Sequence, residues 1–181
     1  QLTPTLRTRE HRPPGYSLDD FVPYAGITIG IQKALGSGWL RVASPDPTVQ
    51  PDIDYCYLAD AADLRRMRED VRLAVRLSEM AHFNGILEER VTPRDDVLAT
   101  DASLDRWLLE NVATQLHSAG TCKMAPSSDE MGVVDQYCHV HGLQGLRVVD
   151  ASVVPDVICA NTNATVIMIA ERVADWIGQG R

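Results

Sequence analysis

The sequence lacks long apolar runs and an excess of positive charge, and each absence excludes a class of protein. No run of about 18 apolar residues is present, so no membrane-spanning helix is expected. The 17 lysines and arginines are outnumbered by 25 aspartates and glutamates, which gives a net charge of −8. A chain with this charge has no electrostatic surface for nucleic acid or for an anionic membrane. Its 181 residues suffice for one sizeable core or two small lobes.

Closely paired cysteines are absent as well. The four cysteines are Cys56, Cys122, Cys138 and Cys159. None forms a C-x-x-C pair, the spacing of many zinc sites, and a globular chain of this size does not need disulfides, so free thiols are favoured. His139 and His141 are further ligand-type residues near Cys138, but no carboxylate is evident beside them. The sequence therefore predicts no metal site.

Two motifs of catalysis and nucleotide binding are missing. No G-x-S-x-G turn surrounds a serine, and Cys122 has no identifiable base partner, so a nucleophilic hydrolase is not favoured. No G-x-G-x-x-G sequence is present, although that motif holds the pyrophosphate of a dinucleotide in a βαβ unit. The residues of this chain alone therefore cannot build a complete dinucleotide site.

The hydrophobic pattern of the first third predicts short antiparallel strands. Partial alternation over residues 24–33 predicts a strand, and the turn at Gly36-Ser-Gly38 allows residues 39–43 to return as its partner. A further short strand is predicted over residues 53–57. Four prolines interrupt residues 1–23, which are predicted to be irregular.

Three helices are predicted from apolar residues that recur at spacings of three and four. The first covers residues 60–80, and the second covers residues 104–116 with Ser103 as its N-cap. The third begins near Asn163 and continues to the end of the apolar pattern. Short β-type runs occur over residues 133–135 and 146–149. Trp107, Leu108 and Val112 are expected to face inward from the second helix.

His117 is the first candidate for a chemical role. It follows a predicted helix and precedes Gly120, where the chain can turn sharply. Imidazoles titrate near neutral pH and are suited to accept a proton from an alcohol. A histidine at this position could equally cap the preceding helix or form a hydrogen bond in the core. Local sequence leaves both readings open.

Two further segments have the chemistry of a ligand site. Asn161-Thr-Asn163 precedes an apolar helix, whose free N–H groups would attract negative charge; simple N-capping by Asn163 is the alternative. Asp150 and Ala151 follow a short apolar run, where a small residue allows close approach and a carboxylate can bind sugar hydroxyls. Each pattern is weak when it is taken alone.

The order of these segments resembles the C-terminal region of the glucose–methanol–choline (GMC) family of FAD-dependent oxidoreductases. The matching stretches are residues 117–124, 132–135, 140–152 and 161–177, with Pro155 between the last two. Residues 44–58 and the helix after them resemble the substrate domain of that family more loosely. The resemblance covers roughly residues 24–178.

The resemblance implies a role for each candidate residue. His117 would be the catalytic base, and Asn161 would be the second active-site residue, which orients the alcohol oxygen. Asp150 and Ala151 would lie near the ribityl and pyrophosphate groups of FAD, and the backbone of Thr162 would contact the carbonyl edge of the flavin. The implied reaction is oxidation of a small-molecule alcohol: the base takes the hydroxyl proton while a hydride passes to flavin N5.

The implied fold class is α+β. Residues 1–115 would belong to an antiparallel-sheet substrate-binding domain with packed helices. Residues 116–181 would form the catalytic loop and a C-terminal return that completes an α/β FAD-binding domain. We expect most of that domain to come from a missing region or from a separate chain, as the N-terminal FAD-binding portion of a cleaved or split enzyme.

Two other functions remain open at this point. One is an FAD-containing hydroxynitrile lyase of the same family, which would use the same histidine for acid–base chemistry on a cyanohydrin. The other is a non-catalytic interaction module that kept the fold and lost the flavin. Reduction of the flavin on addition of an alcohol would favour the oxidoreductase, because neither alternative needs that step.

Overall fold

The computed structural model describes residues 2–7, 24–83 and 85–180. The elements, in chain order, are β1 (Leu2–Arg7), β2 (Tyr24–Ile29), β3 (Trp39–Arg41), β4 (Asp52–Asp54), α1 (Ala61–Ser78), a 3₁₀ turn (Ala81–Phe83), α2 (Asp95–Leu98), α3 (Asp101–Asn111), a second 3₁₀ turn (Ala151–Val153) and α4 (Asn163–Gly178). Within the described residues, both sheets are two-stranded and antiparallel, and all helices follow the strands in sequence. The predicted α+β class with antiparallel sheets is therefore confirmed.

The chain divides into two compact units. The first combines Gln1–Ile31 with Leu58–Val112, and the second combines Gln32–Tyr57 with Ala113–Arg181. Segment 32–57 thus belongs with the C-terminal part. The assignment of residues 1–115 to a substrate-binding domain and of residues 116–181 to a return segment stays a prediction.

In the first unit, β1 and β2 pair along their whole length, with Leu2 opposite Ile29 and Arg7 opposite Tyr24. The prediction of a strand from residue 24 is confirmed for its first six residues. The prediction that residues 39–43 pair with this strand is wrong, because β2 pairs with β1. The actual partner lies in a segment that was predicted to be irregular, because Pro4 is tolerated where every strand of the sheet is an edge strand. Residues 8–23 of that segment lie outside the described residues.

Helix α1, Ala61–Ser78, confirms the helix that was predicted over residues 60–80. Asp60 is its N-cap, and the carboxylate oxygen Oδ1 accepts hydrogen bonds from the N–H groups of Ala62 at 2.8 Å and of Asp63 at 3.3 Å. These bonds satisfy two of the donors that a helix leaves without partners at its start. The core of this unit contains Val71 from α1 and Leu104 and Leu108 from α3.

Helix α3 begins and ends earlier than predicted. Thr100 is its N-cap, and Ser103, the predicted cap, is the third helical residue. The Thr100 hydroxyl accepts a hydrogen bond from the N–H of Ser103, and the Ser103 hydroxyl accepts one from the N–H of Thr100. Each side chain therefore provides the acceptor for the backbone N–H of the other residue. The helix ends at Asn111 because Val112 takes an extended conformation.

In the second unit, β3 pairs with β4, with Trp39 opposite Asp54 and Arg41 opposite Asp52. The predicted strand at 39–43 is confirmed over its first three residues, and the one predicted at 53–57 begins one residue earlier and is shorter. Gly38 precedes this pairing, and a Cβ there would lie 1.9 Å from the carbonyl oxygen of Asp54. Glycine is therefore the residue that this close approach requires.

The core of the second unit is built from loops and from α4. Its buried residues are Val134, Cys138, Val153 and Val173. The predicted β-type runs at 133–135 and 146–149 form isolated bridges, Val134 with Met124 and with Val140, and His139 with Arg147. They are too short for regular strands, yet they bring distant loops together. No helix in the described ranges is long and apolar enough to cross a membrane.

Candidate functional site

The loop that follows His117 is held against the 3₁₀ turn at residues 151–153 by three backbone hydrogen bonds. The N–H groups of Gly120, Cys122 and Met124 donate to the carbonyls of Ala151, Ser152 and Val153, at 3.4, 2.9 and 2.9 Å. Gly120 has φ +86°, a left-handed conformation that glycine adopts without strain. The backbone of this loop is therefore fixed to the turn that carries Ala151.

His117 contacts a residue that lies 45 positions later in the sequence. Its Nδ1 is 3.1 Å from the hydroxyl oxygen Oγ1 of Thr162, and both side chains are partly buried. Within the described residues, Nε2 of His117 makes no hydrogen bond. The structure thus brings together two of the predicted site residues, and it leaves one ring nitrogen for a ligand.

The alternative reading of His117 as a helix cap is wrong. Helix α3 ends at Asn111, and its last turn is closed by the N–H of Val112, which donates to the carbonyl of Leu108 at 2.8 Å. Residues 112–116 separate the helix from the histidine, and the last of them, Leu116, has φ +61°, a left-handed conformation that is uncommon for leucine. Such strained residues are often found at functional sites.

Asn161 and Asn163 lie at the start of α4, where the cap is also different from the prediction. Asn163 is the first helical residue, and the N-cap is Thr162, whose backbone is already helical at φ −73° and ψ −18°. The Thr162 side chain makes no capping hydrogen bond. The first N–H groups of α4 therefore have no side-chain acceptor from this residue. Asn161, directly before it, is exposed.

Asp150 and Ala151 form the start of the 3₁₀ turn. Oδ1 of Asp150 accepts hydrogen bonds from the N–H of Ser152, at 2.8 Å, and from the Ser152 hydroxyl. The other carboxylate oxygen has no hydrogen bond within the described residues, and the side chain is exposed. The predicted contacts of Asp150 and Ala151 with FAD stay predictions.

The histidines considered as metal ligands bind different partners. Nδ1 of His139 is 3.2 Å from Oδ2 of Asp135, a carboxylate that sequence reasoning missed, whereas Nε2 of His141 is 2.9 Å from the carbonyl oxygen of Ala125. Among the described residues, no three histidine, cysteine or acidic side chains form a group that could hold a metal. Burial raises the pKa of the Cys138 thiol, and the charge of Asp135 raises it further, which disfavours a thiolate.

The sequence was also compared with known proteins. Residues 35–170, more than half of the chain, match the protein-family model described as GMC oxidoreductase. The chain belongs to the GMC oxidoreductase family. The resemblance drawn from the motifs of residues 117–177 is therefore confirmed.

Curated relatives in the GMC family include two bacterial choline dehydrogenases. The oxygen-dependent choline dehydrogenase 1 of Chromohalobacter salexigens is 36% identical over 149 residues, which are 82% of this chain and 26% of that protein. The oxygen-dependent choline dehydrogenase of Serratia proteamaculans is 38% identical over 151 residues, 83% of this chain and 27% of that protein. The chain spans about a quarter of the length of these relatives.

Solved structures of GMC relatives share the fold. The formate oxidase of Aspergillus oryzae superposes with a TM-score of 0.80 at 28% identity, over 95% of this chain and 29% of that one. An FAD-dependent oxidoreductase from Chaetomium thermophilum gives a TM-score of 0.74 at 28% identity, over 82% of this chain and 26% of that one. Both are described in connection with FAD, which confirms the cofactor predicted from the family resemblance.

Sequence reasoning missed the link between His117 and the hydroxyl of Thr162. The predicted role of Thr162 concerned its backbone, whereas the structure gives its side chain a contact with the candidate base. A threonine before a helix normally indicates capping. No local pattern distinguishes a hydroxyl that caps from one that bonds to a distant imidazole, so the sequence contained no signal for this contact.

Proposed function

We propose that this chain is the catalytic C-terminal part of an FAD-dependent oxidoreductase that oxidises a CH–OH group, as an alcohol oxidase or dehydrogenase. The observation that carries the proposal is the contact between His117 and Thr162 at the start of α4, in a chain that belongs to an oxidoreductase family. The contact sets a candidate base beside a helix terminus that suits the negative charge of a reduced cofactor.

In this proposal His117 is the general base. Because Nδ1 is engaged by Thr162, the nitrogen that takes the hydroxyl proton is Nε2. Asn161 is exposed directly before Thr162, and its amide is suited to donate a hydrogen bond to the alcohol oxygen. Bound FAD supplies the acceptor for the hydride that leaves the alcohol carbon.

The described residues fit FAD in two respects. The first turn of α4 lacks a side-chain cap, so its N–H groups are available to a negatively charged or carbonyl edge beside the backbone of Thr162. Asp150 keeps one carboxylate oxygen without a protein partner in the described part of the chain, and the small Ala151 follows it. We assign Asp150 and Ala151 to the ribityl and pyrophosphate region of the cofactor.

The exposed face of α4 supports the predicted partner, the N-terminal FAD-binding portion of the enzyme. Ile167 and Met168 are 54% and 57% exposed, and they lie opposite the side of the helix that buries Val173. Two exposed apolar side chains on the half of a helix turned away from its buried residue indicate a surface that is covered in the complete protein. The missing portion, as a separate chain or a missing region, is the occupant we propose, because the match with this chain covers only 26% of the curated relative from Chromohalobacter salexigens.

The test is anaerobic mixing of the complete flavoprotein with an alcohol substrate, followed by flavin absorbance. His117→Gln should slow flavin reduction by about a thousandfold, since general-base catalysis contributes about that factor. His82 is an exposed histidine of the other unit, and His82→Gln is the matched control. The flavin of this variant should be reduced at the wild-type rate. Flavin content is measured in both variants.

Three results would contradict this function. An unchanged rate in His117→Gln would remove the base assignment. Cyanohydrin cleavage without flavin bleaching would favour the lyase. A complete protein that binds no flavin would favour the non-catalytic module.

A further inference from the structure

We propose that Thr162 is a positioning residue whose hydroxyl holds His117 with the proton on Nδ1 and the lone pair on Nε2. The inference rests on the proposed function, in which His117 is the base. It assigns a role to the Thr162 side chain that is separate from the predicted contact of its backbone with the flavin.

The Thr162 hydroxyl is used by the histidine and not by its own helix. A threonine at an N-cap normally accepts a hydrogen bond from an N–H group of the first turn. Thr162 makes no such bond, and its Oγ1 lies 3.1 Å from Nδ1 of His117. The side chain therefore makes no capping hydrogen bond to the first turn of α4, and its observed hydrogen bond is the one to the imidazole of His117.

The direction of this hydrogen bond follows from the chemistry of a base. If the hydroxyl of Thr162 donated to Nδ1, the neutral ring would carry its proton on Nε2, which could then only donate. If Nδ1–H of His117 donates to Oγ1, Nε2 keeps the lone pair that a base needs. After proton uptake Nδ1–H still donates to the same oxygen, so this contact serves both protonation states.

Thr162 belongs to a helix, whereas the histidine that it contacts lies on a loop. Its carbonyl accepts from the N–H of Val166 at 2.9 Å, which makes it part of α4, and α4 is anchored in the core by Val173. His117 is on a loop, directly after the left-handed Leu116. A side chain of a helix that is anchored in the core thus orients the side chain of a histidine on a loop.

The experiment uses the complete flavoprotein and three variants. Thr162→Val removes the hydroxyl at nearly constant shape, Thr162→Ser keeps it, and Thr165→Val is a matched change one turn later in α4. The limiting rate of anaerobic flavin reduction is measured against alcohol concentration. Thr162→Val should lower that rate about tenfold, the effect of one hydrogen bond to a group that becomes charged, with apparent substrate affinity changed less than about twofold. Thr162→Ser should recover most of the rate, and Thr165→Val should keep it.

A second measurement does not depend on turnover. Nitrogen-15 NMR of histidine-labelled protein, with His117 assigned through His117→Gln, reports which ring nitrogen carries the proton. The wild type should show protonated Nδ1 and bare Nε2, and Thr162→Val should shift the ring towards the Nε2–H form.

The outcomes separate this proposal from the function on which it rests. A wild-type ring protonated on Nε2, or a Thr162→Val rate equal to that of Thr165→Val, would overturn the role of Thr162 even if His117→Gln is inactive. If His117→Gln remains active, the base assignment fails, and the positioning of a base by Thr162 fails with it. Loss of activity in Thr162→Ser as large as in Thr162→Val would indicate packing and would also overturn the proposal.

Discussion

At the scale of single residues, Asp135 organises the turn that contains buried Cys138. Its Oδ1 accepts from the N–H groups of Tyr137 and His139, at 2.8 and 2.9 Å, and Oδ2 lies 3.2 Å from Nδ1 of His139. Burial alone would raise the pKa of Asp135, but these hydrogen bonds together outweigh it and hold the pKa below the usual value. The ionised carboxylate is therefore the form that the folded turn prefers.

This preference predicts acid-sensitive stability. A carboxyl group with a lowered folded-state pKa adds stability above its unfolded value and loses it as the pH falls through the folded value, so the contribution of Asp135 should fade below about pH 4. Asp135→Asn should lower the free energy of unfolding at pH 7, and the difference from wild type should shrink towards pH 3. Urea denaturation at several pH values measures it, with exposed Asp175→Asn as the control. A difference that is the same at all pH values would contradict the assignment.

At the scale of elements, the length of a helix or strand decided whether it was predicted correctly from the sequence. Helices α1 and α4 extend over 18 and 16 residues, so their apolar period repeats several times and is visible in the sequence. Strands β3 and β4 have three residues each, and their pairing depends on contacts that no local pattern specifies. The start of α3 was predicted three residues late because Thr100 and Ser103 can both cap a helix, and their reciprocal bonds favour Thr100.

The capping box of α3 yields a prediction for this element. Thr100→Ala removes the acceptor for the N–H of Ser103 and should lower the free energy of unfolding by about 1 kcal/mol. Thr100→Ser keeps the acceptor and should lower it by much less. Thermal or urea denaturation compares the two variants with wild type. Equal losses in both would show that the methyl group of the threonine, and not its hydroxyl, stabilises the helix.

At the scale of the whole molecule, the chain corresponds to about a quarter of its curated relatives and leaves apolar side chains exposed on α4. On the side of α4 turned away from Val173, Ile167 and Met168 are exposed in the first half of the helix, and Glu171 follows about one turn after Ile167. Ile177 is also exposed, but it lies in the last turn and on the side of Val173. Polar residues on the same surface limit the patch to the end of the helix that begins at Thr162. The proposed FAD-binding portion would therefore cover the helix next to the candidate site.

A charge on this surface should weaken assembly with the FAD-binding portion. Ile167→Asp puts a carboxylate where burial is proposed, and it should lower the fraction of flavin retained at least about fivefold. Glu171→Gln changes a side chain of the same helix and should leave flavin retention unchanged. Size-exclusion chromatography with detection of flavin absorbance measures both. Full retention in Ile167→Asp would mean that the FAD-binding portion does not cover this face.

The sequence by itself determined the family, the cofactor of the family and the long helices. The order of the segments from His117 to Asn161 and the repeated periods of α1 and α4 are properties of the linear chain. The tertiary structure decided which strands pair, where α3 begins and which partner His117 takes. The contact between His117 and Thr162 joins residues 45 positions apart, and a hydrogen bond across that distance depends on how the loops and α4 pack. The local sequence indicates which secondary structure a segment prefers, whereas only tertiary packing brings two side chains that are distant in sequence within hydrogen-bonding distance.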